Sequence, residues 1–140
     1  EAVEACVAYA LMLADLIAGQ PLEKVLPSPN FQAESGIGQI LAGSWRGKGR
    51  GEVRASGYVA HRLEAALWSV GRSGDFRQSV LTAANLAEDA DTTAAIAGQL
   101  AGAAYGAAAI PEAWRERLAW SDQIQQVARD LFAESFSRHA

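Results

Sequence analysis

Three oxygen-bearing side chains within one short stretch are the residues best suited to chemistry: Asp89, Asp91 and Thr92. They lie between two apolar segments with helical spacing, where the second helix is predicted to begin. Two carboxylates and a hydroxyl are hard oxygen ligands, which suit Mg²⁺, Mn²⁺ or Ca²⁺ better than zinc. At a half-buried site the carboxylates would repel each other by up to about 4 kcal/mol, and a bound cation would make the interaction favourable. The stretch is therefore a candidate metal site.

The same residues also have an ordinary structural interpretation. An aspartate directly before a helix is a common N-cap, and a second acidic residue in the first turn is stabilised by the helix dipole. The residues alone leave both interpretations open.

A glycine-rich basic stretch, residues 43–57, lies upstream of this site in the sequence. Its composition is typical of a solvated surface loop. A second interpretation concerns its end, Ser56-Gly57-Tyr58, which would form a ligand-facing turn at a helix N-terminus, where free N–H groups favour an anion.

The elements that must position these residues are predicted to be helices, because no segment shows the alternation of a strand. Helical spacing covers residues 1–18, 22–26, 31–42, 58–70, 76–86, 92–109 and 121–138, with a short helix starting at 110–112. Three glycines four residues apart, Gly98, Gly102 and Gly106, predict the close approach of a neighbouring helix backbone, which would offset their cost to the helix.

The apolar pattern also predicts which residues are buried. The first helix is expected to bury Val3, Val7, Ala10, Leu11, Ala14 and Ile17. Helix 58–70 is expected to bury Tyr58, Leu63, Ala66, Leu67 and Val70, and to turn Arg62, Glu64 and Ser69 away. Trp114 and Leu118 are expected to anchor the short helix. The inner face of the last helix is expected to be Ile124, Val127, Ala128, Leu131 and Phe132.

Composition limits the class of protein. A chain of 140 residues that is half hydrophobic and only 8% aromatic fits one compact helical domain. Its net charge of −4 gives no basic face for nucleic acid. Cys6 is the single cysteine, which excludes an intrachain disulfide and favours the cytoplasm. Neither apolar run, 5–14 or 94–110, has the length and flanks of a membrane span or signal peptide.

The chain resembles the ADP-ribosylglycohydrolase family in its C-terminal signature, from Asn85 to Ala103 and on through Tyr105-Gly106 and Ile110-Pro111-Glu112-Ala113-Trp114. This family includes the dinitrogenase reductase-activating glycohydrolases and the arginine- and serine-directed ADP-ribosyl hydrolases. The upstream segments Ser56-Gly57-Tyr58-Val59 and Leu63-Glu64-Ala65-Ala66-Leu67-Trp68 are similar to the same family. The matches extend from about Trp45 to Leu118.

The resemblance implies an all-α orthogonal helical bundle with a binuclear Mg²⁺ or Mn²⁺ site at the bottom of an ADP-ribose cleft. It makes Asp89, Asp91 and Thr92 metal ligands. Gly57 and Tyr58 become candidates for contact with the nucleotide, Tyr58 by stacking. The implied activity is metal-dependent hydrolysis of the N- or O-glycosidic bond between ADP-ribose and a modified protein side chain or small molecule.

The sequence departs from the family in two ways. Ala87 stands where the family usually has glycine. The motifs of the family's N-terminal half, including a Thr-Asp-Asp metal block and an acidic residue important for catalysis, do not occur here. We therefore expect residues 1–140 to be a single all-helical region, the C-terminal part of a larger domain whose other half is covalently attached or a separate chain. The catalytic residues are expected in that half, and this chain alone is expected to bind metal weakly and to be inactive.

Two other functions remain open at this point. One is a non-catalytic, ADP-ribose-binding or regulatory member of the family. The other is a helical interaction module, in which the acidic loop at residues 85–93 is only a helix cap, and the stripe of glycines and Trp114 dock a partner helix.

Overall fold

The computed structural model describes residues 1–26, 36–86 and 88–137. These residues form eight α-helices: α1 Ala2–Ile17, α2 Leu22–Val25, α3 Gly36–Leu41, α4 Val59–Gly71, α5 Phe76–Ala84, α6 Ala90–Tyr105, α7 Glu112–Arg115 and α8 Ser121–Ser137. Two 3₁₀ turns lie at Arg50–Glu52 and Ala107–Ala109. No strand occurs in the described ranges, and the all-α prediction is confirmed. Within the same ranges, no helix combines the length and apolar character needed to cross a membrane.

The chain divides into two compact units, Glu1–Ala109 and Ile110–Ala140. The first contains α1 to α6 and both candidate ligand segments, and the second contains α7 and α8. The division does not test whether residues 1–140 are a single part of a larger domain, so this stays a prediction.

Helix α4 forms the centre of the first unit and packs against α6, α5, α1 and α3. Its residues from Leu63 to Val70 are all buried, because neighbouring helices surround it. The prediction that Glu64 and Ser69 face away from the core is wrong. Glu64 accepts a hydrogen bond of 2.6 Å from Lys48 Nζ, which compensates its buried charge. Ser69 Oγ donates to the carbonyl oxygen of Ala65 at 2.7 Å.

The predicted orientations of Arg62 and Tyr58 also differ from those in the structure. Arg62 is half-buried rather than turned into solvent. Tyr58 was predicted on the buried face, but it precedes the helix and 46% of it is exposed. Its extended backbone directs the ring away from the core stripe that the helical spacing implied.

Helix α1 buries a different face from the predicted one. The buried residues are Ala5, Ala8, Met12 and Leu16. The predicted set, Val3, Val7, Ala10, Leu11, Ala14 and Ile17, is exposed. The helix is apolar on both sides, so the spacing alone does not select the face that contacts α4 and α6. Tyr9 fixes that face through a hydrogen bond of 2.6 Å from its hydroxyl to the carbonyl oxygen of Ile96 in α6.

Helix α6 starts two residues earlier than predicted and ends at Tyr105, where the C-cap Gly106, with a φ of 80°, terminates it. The predicted close approach of a helix backbone to the glycines is wrong. A Cβ at Gly98 would lie 3.7 Å from Val80 Cγ2, and one at Gly102 would lie 3.9 Å from Phe76 Cε2, both ordinary side-chain contacts. The Gly106 position has open space around it.

The second unit differs from its prediction in burial. Pro111 is the N-cap of α7 instead of its first helical residue, and Leu118 is exposed. In α8 the predicted inner face, Ile124, Val127, Ala128, Leu131 and Phe132, is also exposed. The sequence predicted the extent and apolar stripe of α8, whereas the burial of that stripe needs a partner that the pattern does not specify.

Candidate metal and nucleotide site

Asp89 occupies the N-cap position of α6, but its side chain makes no capping hydrogen bond. Asp75 provides a comparison within the chain, since it caps α5 by accepting a hydrogen bond of 2.7 Å from the backbone N–H of Gln78. The N-cap interpretation therefore describes the position of Asp89 and not the use of its carboxylate.

The carboxylate of Asp89 interacts with the side chains of Thr92, Arg62 and Asp91. Thr92 Oγ1 donates a hydrogen bond of 2.8 Å to Oδ1, and the guanidinium of Arg62 forms an ion pair with Oδ2. The hydrogen bond from Thr92, reinforced by the charge of Arg62, holds the pKa of Asp89 below its ordinary value, while burial acts in the opposite direction. Asp89 is thus a carboxylate at neutral pH.

The structure brings Asp89 and Thr92 into contact, and Asp91 lies close enough to Asp89 to help lower its pKa. Asp91 lies in the first turn of α6 and is exposed. The donor set fits a hard cation in its chemistry, because all three residues offer oxygen and the Asp89 carboxyl is ionised. Across the described residues, no group of three His, Cys, Asp or Glu side chains has an arrangement that could hold a metal ion. A complete coordination shell would therefore need water or further ligands.

The basic stretch 43–57 contacts the segment that directly precedes α6 and contains Asn85, Leu86, Glu88 and Asp89. Arg50 Nη2 donates to the carbonyl oxygens of Leu86 at 2.5 Å and Asn85 at 3.1 Å. Arg54 Nε lies 3.9 Å from Glu88 Oε1. The backbone N–H of Asp89 donates to the carbonyl oxygen of Ala55 at 3.0 Å. These contacts give the stretch a structural role that a freely solvated loop would not have.

The predicted nucleotide turn, Ser56-Gly57-Tyr58, directly precedes α4. Ser56 Oγ lies 2.7 Å from His61 Nδ1 and accepts a hydrogen bond of 3.3 Å from the backbone N–H of Tyr58. The Tyr58 ring meets the His61 ring edge to face at a centroid distance of 5.1 Å. Its hydroxyl donates to Glu1, and this hydrogen bond raises the pKa of Tyr58. The ring is exposed, which is compatible with stacking, and that role stays a prediction.

Arg62 connects the two candidate segments, and the sequence prediction missed it. Its Nη2 atom pairs with Asp89, and a Cβ at Gly57 would lie 3.5 Å from the same atom. Arg62 follows Tyr58 by one helical turn. A cationic residue at that spacing after a predicted ligand-binding turn was the feature of the sequence that could have identified Arg62 as a site residue. The amphipathic interpretation of α4 assigned it to solvent instead.

A cavity of about 250 Å³ lies beside Arg62. It is lined by Ala5, Cys6, Tyr9, Val59, Arg62, Leu63, Ile96 and Gln99. A larger cavity of about 660 Å³ lies near the other end of α4, among Trp45, Arg46, Trp68 and Arg72. The smaller one shares Arg62 with the metal and nucleotide segments and belongs to the same site.

Comparisons with known proteins match the whole chain. A family model described as ADP-ribosylglycohydrolase matches residues 1–140. A Pseudomonas putida (strain GB-1) protein named ADP-ribosylarginine hydrolase Tri1 is 45% identical over 132 residues, which cover 94% of this chain and 36% of that protein. A Serratia proteamaculans (strain 568) protein of the same name is 39% identical over 132 residues, with the same coverage.

A solved structure has the same fold. A chain of an "ADP-ribosylglycohydrolase-related protein complex" superposes with a TM-score of 0.82 at 34% sequence identity, covering 89% of this chain and 44% of that chain. The chain therefore spans about a third of the length of the curated relatives and less than half of the solved one.

Proposed function

The chain belongs to the ADP-ribosylglycohydrolase family, and from this premise we propose that it forms the C-terminal part of a metal-dependent ADP-ribosyl hydrolase. The substrate would be a protein or small molecule that carries ADP-ribose on an arginine side chain, and the bond cleaved would be the N-glycosidic bond. The arginine linkage is supported by two relatives, 45% and 39% identical, that are named ADP-ribosylarginine hydrolases.

One observation carries the proposal: Asp89 stands at a helix N-cap but does not cap. Its carboxylate is directed instead to Thr92 and Arg62. A residue that caps a helix only for stability would accept a backbone N–H, as Asp75 does. The geometry of Asp89 supports a role in binding a cation.

In this mechanism Asp89, Asp91 and Thr92 would hold Mg²⁺ or Mn²⁺. The metal, when bound, would supply Lewis-acid stabilisation of charge that develops as the glycosidic bond breaks. Thr92 fixes the orientation of Asp89 through its hydrogen bond to Oδ1. Gly57 and Tyr58 would contact the nucleotide, with the exposed Tyr58 ring available to stack on adenine. The acid or base that acts on the leaving group would come from the other half of the domain.

A chimera tests the proposal. The matched 132-residue segment of the Pseudomonas putida relative would be replaced by the corresponding residues of this chain, and release of ADP-ribose from an ADP-ribosylated arginine substrate would be measured. We expect release that requires Mg²⁺ or Mn²⁺ and that stops when EDTA is added. Asp91→Ala should reduce release to background, whereas Asp75→Ala, which alters a true cap, should keep it.

Two results would contradict the proposal. A folded chimera without release at any Mg²⁺ or Mn²⁺ concentration would exclude hydrolysis by this scaffold. Binding of ADP-ribose that persists in Asp91→Ala, with no release by the unmodified chimera, would identify a non-catalytic ADP-ribose-binding protein instead.

A further inference from the structure

Arg62 and Asp89 form an ion pair that places a guanidinium on the candidate metal ligand. Both side chains are half-buried: 32% of the Arg62 side chain and 24% of the Asp89 side chain are exposed. The pair joins Arg62 Nη2 to Asp89 Oδ2, and among the residues that the structure describes Arg62 Nε is buried without a hydrogen bond. The guanidinium therefore does not use all of its donors in this pair.

The two oxygens of Asp89 have different neighbours, and the difference matters for metal binding. Oδ1 is held by a neutral donor, Thr92 Oγ1 at 2.8 Å. Oδ2 faces the positive charge of Arg62. A divalent cation on Asp89 would meet that charge at short range, where two cations repel strongly in a site partly excluded from water.

We propose that Arg62 is an exchangeable counter-ion of Asp89, which neutralises the carboxylate in the absence of metal and is displaced when a divalent cation binds. The inference rests on the metal site of the proposed function. Metal and guanidinium would compete for one carboxylate. The apparent metal affinity would then be the intrinsic affinity multiplied by the fraction of molecules in which Arg62 is not paired with Asp89.

The structure leaves space beside Arg62. The cavity of about 250 Å³ there is lined mostly by apolar atoms, so it gives the side chain room to move but few partners for its charge. The Gly57 turn adjoins the Nη2 atom of Arg62. Small movements of the long arginine side chain would thus break the pair without moving α4 or α6.

Displacement leaves Arg62 as a half-buried cation without its partner, which is unfavourable unless an anion replaces Asp89. A diphosphate is suited to this role, because a guanidinium binds phosphate oxygens through two parallel N–H groups. Metal binding and binding of a diphosphate-containing ligand would consequently favour each other, and Arg62 would transmit the effect.

Metal affinity tests the competition directly. The Mn²⁺ affinity would be measured by calorimetry for the chimera described above, carrying the unsubstituted segment, Arg62→Gln or Arg54→Gln. Arg62→Gln should bind Mn²⁺ at least about fivefold more tightly, the lower end of the usual coupling between linked sites. Arg54→Gln removes the same charge from an exposed residue near the loop, where Arg54 Nε lies 3.9 Å from Glu88 Oε1, so it should change the affinity less than about twofold.

An unchanged or weaker Mn²⁺ affinity in Arg62→Gln would overturn the competition, as would an equal gain in Arg54→Gln. If Arg62→Gln does not fold, nitrogen NMR of the unsubstituted protein gives the answer, since the Arg62 Nε signal should shift on adding Mg²⁺ and an unmoved signal would overturn the exchange. Absence of metal binding in the unsubstituted chimera would instead refute the metal site of the proposed function.

Ligand affinity tests the second step. ADP-ribose and adenosine would be titrated with and without Mg²⁺, because adenosine lacks the diphosphate. In the unsubstituted protein Mg²⁺ should strengthen the binding of ADP-ribose more than that of adenosine, and Arg62→Gln should remove most of this difference. The same Mg²⁺ effect in both proteins would overturn the transfer of Arg62 to the diphosphate.

Discussion

Asp75 and Asp89 both precede a helix in this chain, and their carboxylates have different partners. Asp75 accepts the backbone N–H of Gln78, whereas Asp89 accepts the Thr92 hydroxyl and pairs with Arg62. An aspartate before an apolar helix is a common cap, and this rule does not distinguish the two residues. The use of each carboxylate depends on what α4 brings next to it, which is a tertiary contact.

A pair of substitutions separates the two aspartates. Asp75→Ala should lower the free energy of unfolding by about 1 kcal/mol through loss of a cap, and it should leave the rise in Tm on adding Mg²⁺ unchanged. Asp89→Asn should abolish that rise, because a neutral amide is a poor ligand for a hard cation.

Thermal unfolding of the two variants with Mg²⁺ and with EDTA checks the prediction. A Mg²⁺-dependent rise in Tm that persists in Asp89→Asn would assign the metal to other residues. The metal ligands Asp89, Asp91 and Thr92 were proposed from sequence, and their role stays a prediction. Arg62 was missed because helical spacing assigned it to the solvent side of α4.

At the scale of elements, Tyr9 links α1 to α6. Its hydroxyl donates to Ile96, and burial raises the pKa of Tyr9 above its usual value. Since the unfolded chain ionises at about pH 10 and the folded chain keeps the proton, stability is fully present below pH 10 and falls as the pH rises above it.

Tyr9→Phe should therefore change the free energy of unfolding by different amounts at pH 8 and at pH 11. At pH 8 it should cost about 1 kcal/mol, the contribution of one hydrogen bond. Between pH 8 and pH 11 it should lose less stability than the unsubstituted protein. Urea unfolding at both pH values checks this, and Tyr105, whose pKa burial also raises, is present in both proteins and cancels in the comparison. An equal loss in the two proteins would contradict it.

Two helical glycines give a second test at this scale. A Cβ at Gly71 would lie 2.5 Å from the ring of Trp45, so Gly71→Ala should displace that ring and destabilise the protein by about 1–3 kcal/mol. At Gly98 the nearest atom is Val80 Cγ2 at 3.7 Å, so Gly98→Ala should stabilise α6 by up to about 1 kcal/mol. Denaturant midpoints of the two variants check the predicted decrease in stability for Gly71→Ala and the predicted increase for Gly98→Ala. Destabilisation by Gly98→Ala would support the close approach of a neighbouring backbone that the glycine spacing suggested.

The helices themselves were largely predictable, because their apolar spacing and end signals are local. Helix α1 was predicted as 1–18 and observed as Ala2–Ile17. Which of its two apolar sides is buried was not predictable, since the choice depends on α4 and α6. Residues 31–35 of the predicted third helix, and Ala87, lie outside the described residues.

At the scale of the whole molecule, apolar side chains remain on the surface of the described structure. Val3, Leu11 and Ile17 on α1 are 76%, 43% and 59% exposed. Large apolar side chains exposed together on one helix commonly form contacts with other polypeptide. The matched segment covers 36% of the Pseudomonas putida relative, so that protein contains roughly twice as much sequence outside the match as within it. The spacing of apolar residues in this chain did not reveal that.

The 140-residue chain by itself should consequently associate as its concentration rises. Replacing Val3, Leu11 and Ile17 together by Gln should reduce the association and change the stability of each monomer little, since exposed substitutions usually act within about 0.5 kcal/mol. Sedimentation velocity over a concentration series checks this, with Glu23→Gln and Lys24→Gln as an exposed control on α2. Association that is unchanged in the triple variant would place the contact elsewhere.

The hydrogen bond between Asp89 and Ala55 joins positions that are far apart along the chain and encloses both α4 and α5. Such a contact forms only after the intervening helices have paired, because closing the loop earlier would cost entropy without the packing that offsets it. The metal ligands would thus be assembled at a late step of folding. A substitution deep in α4 or α5, far from any ligand, would then reduce the yield of binding-competent molecules during synthesis, and metal occupancy would report on folding as much as on coordination.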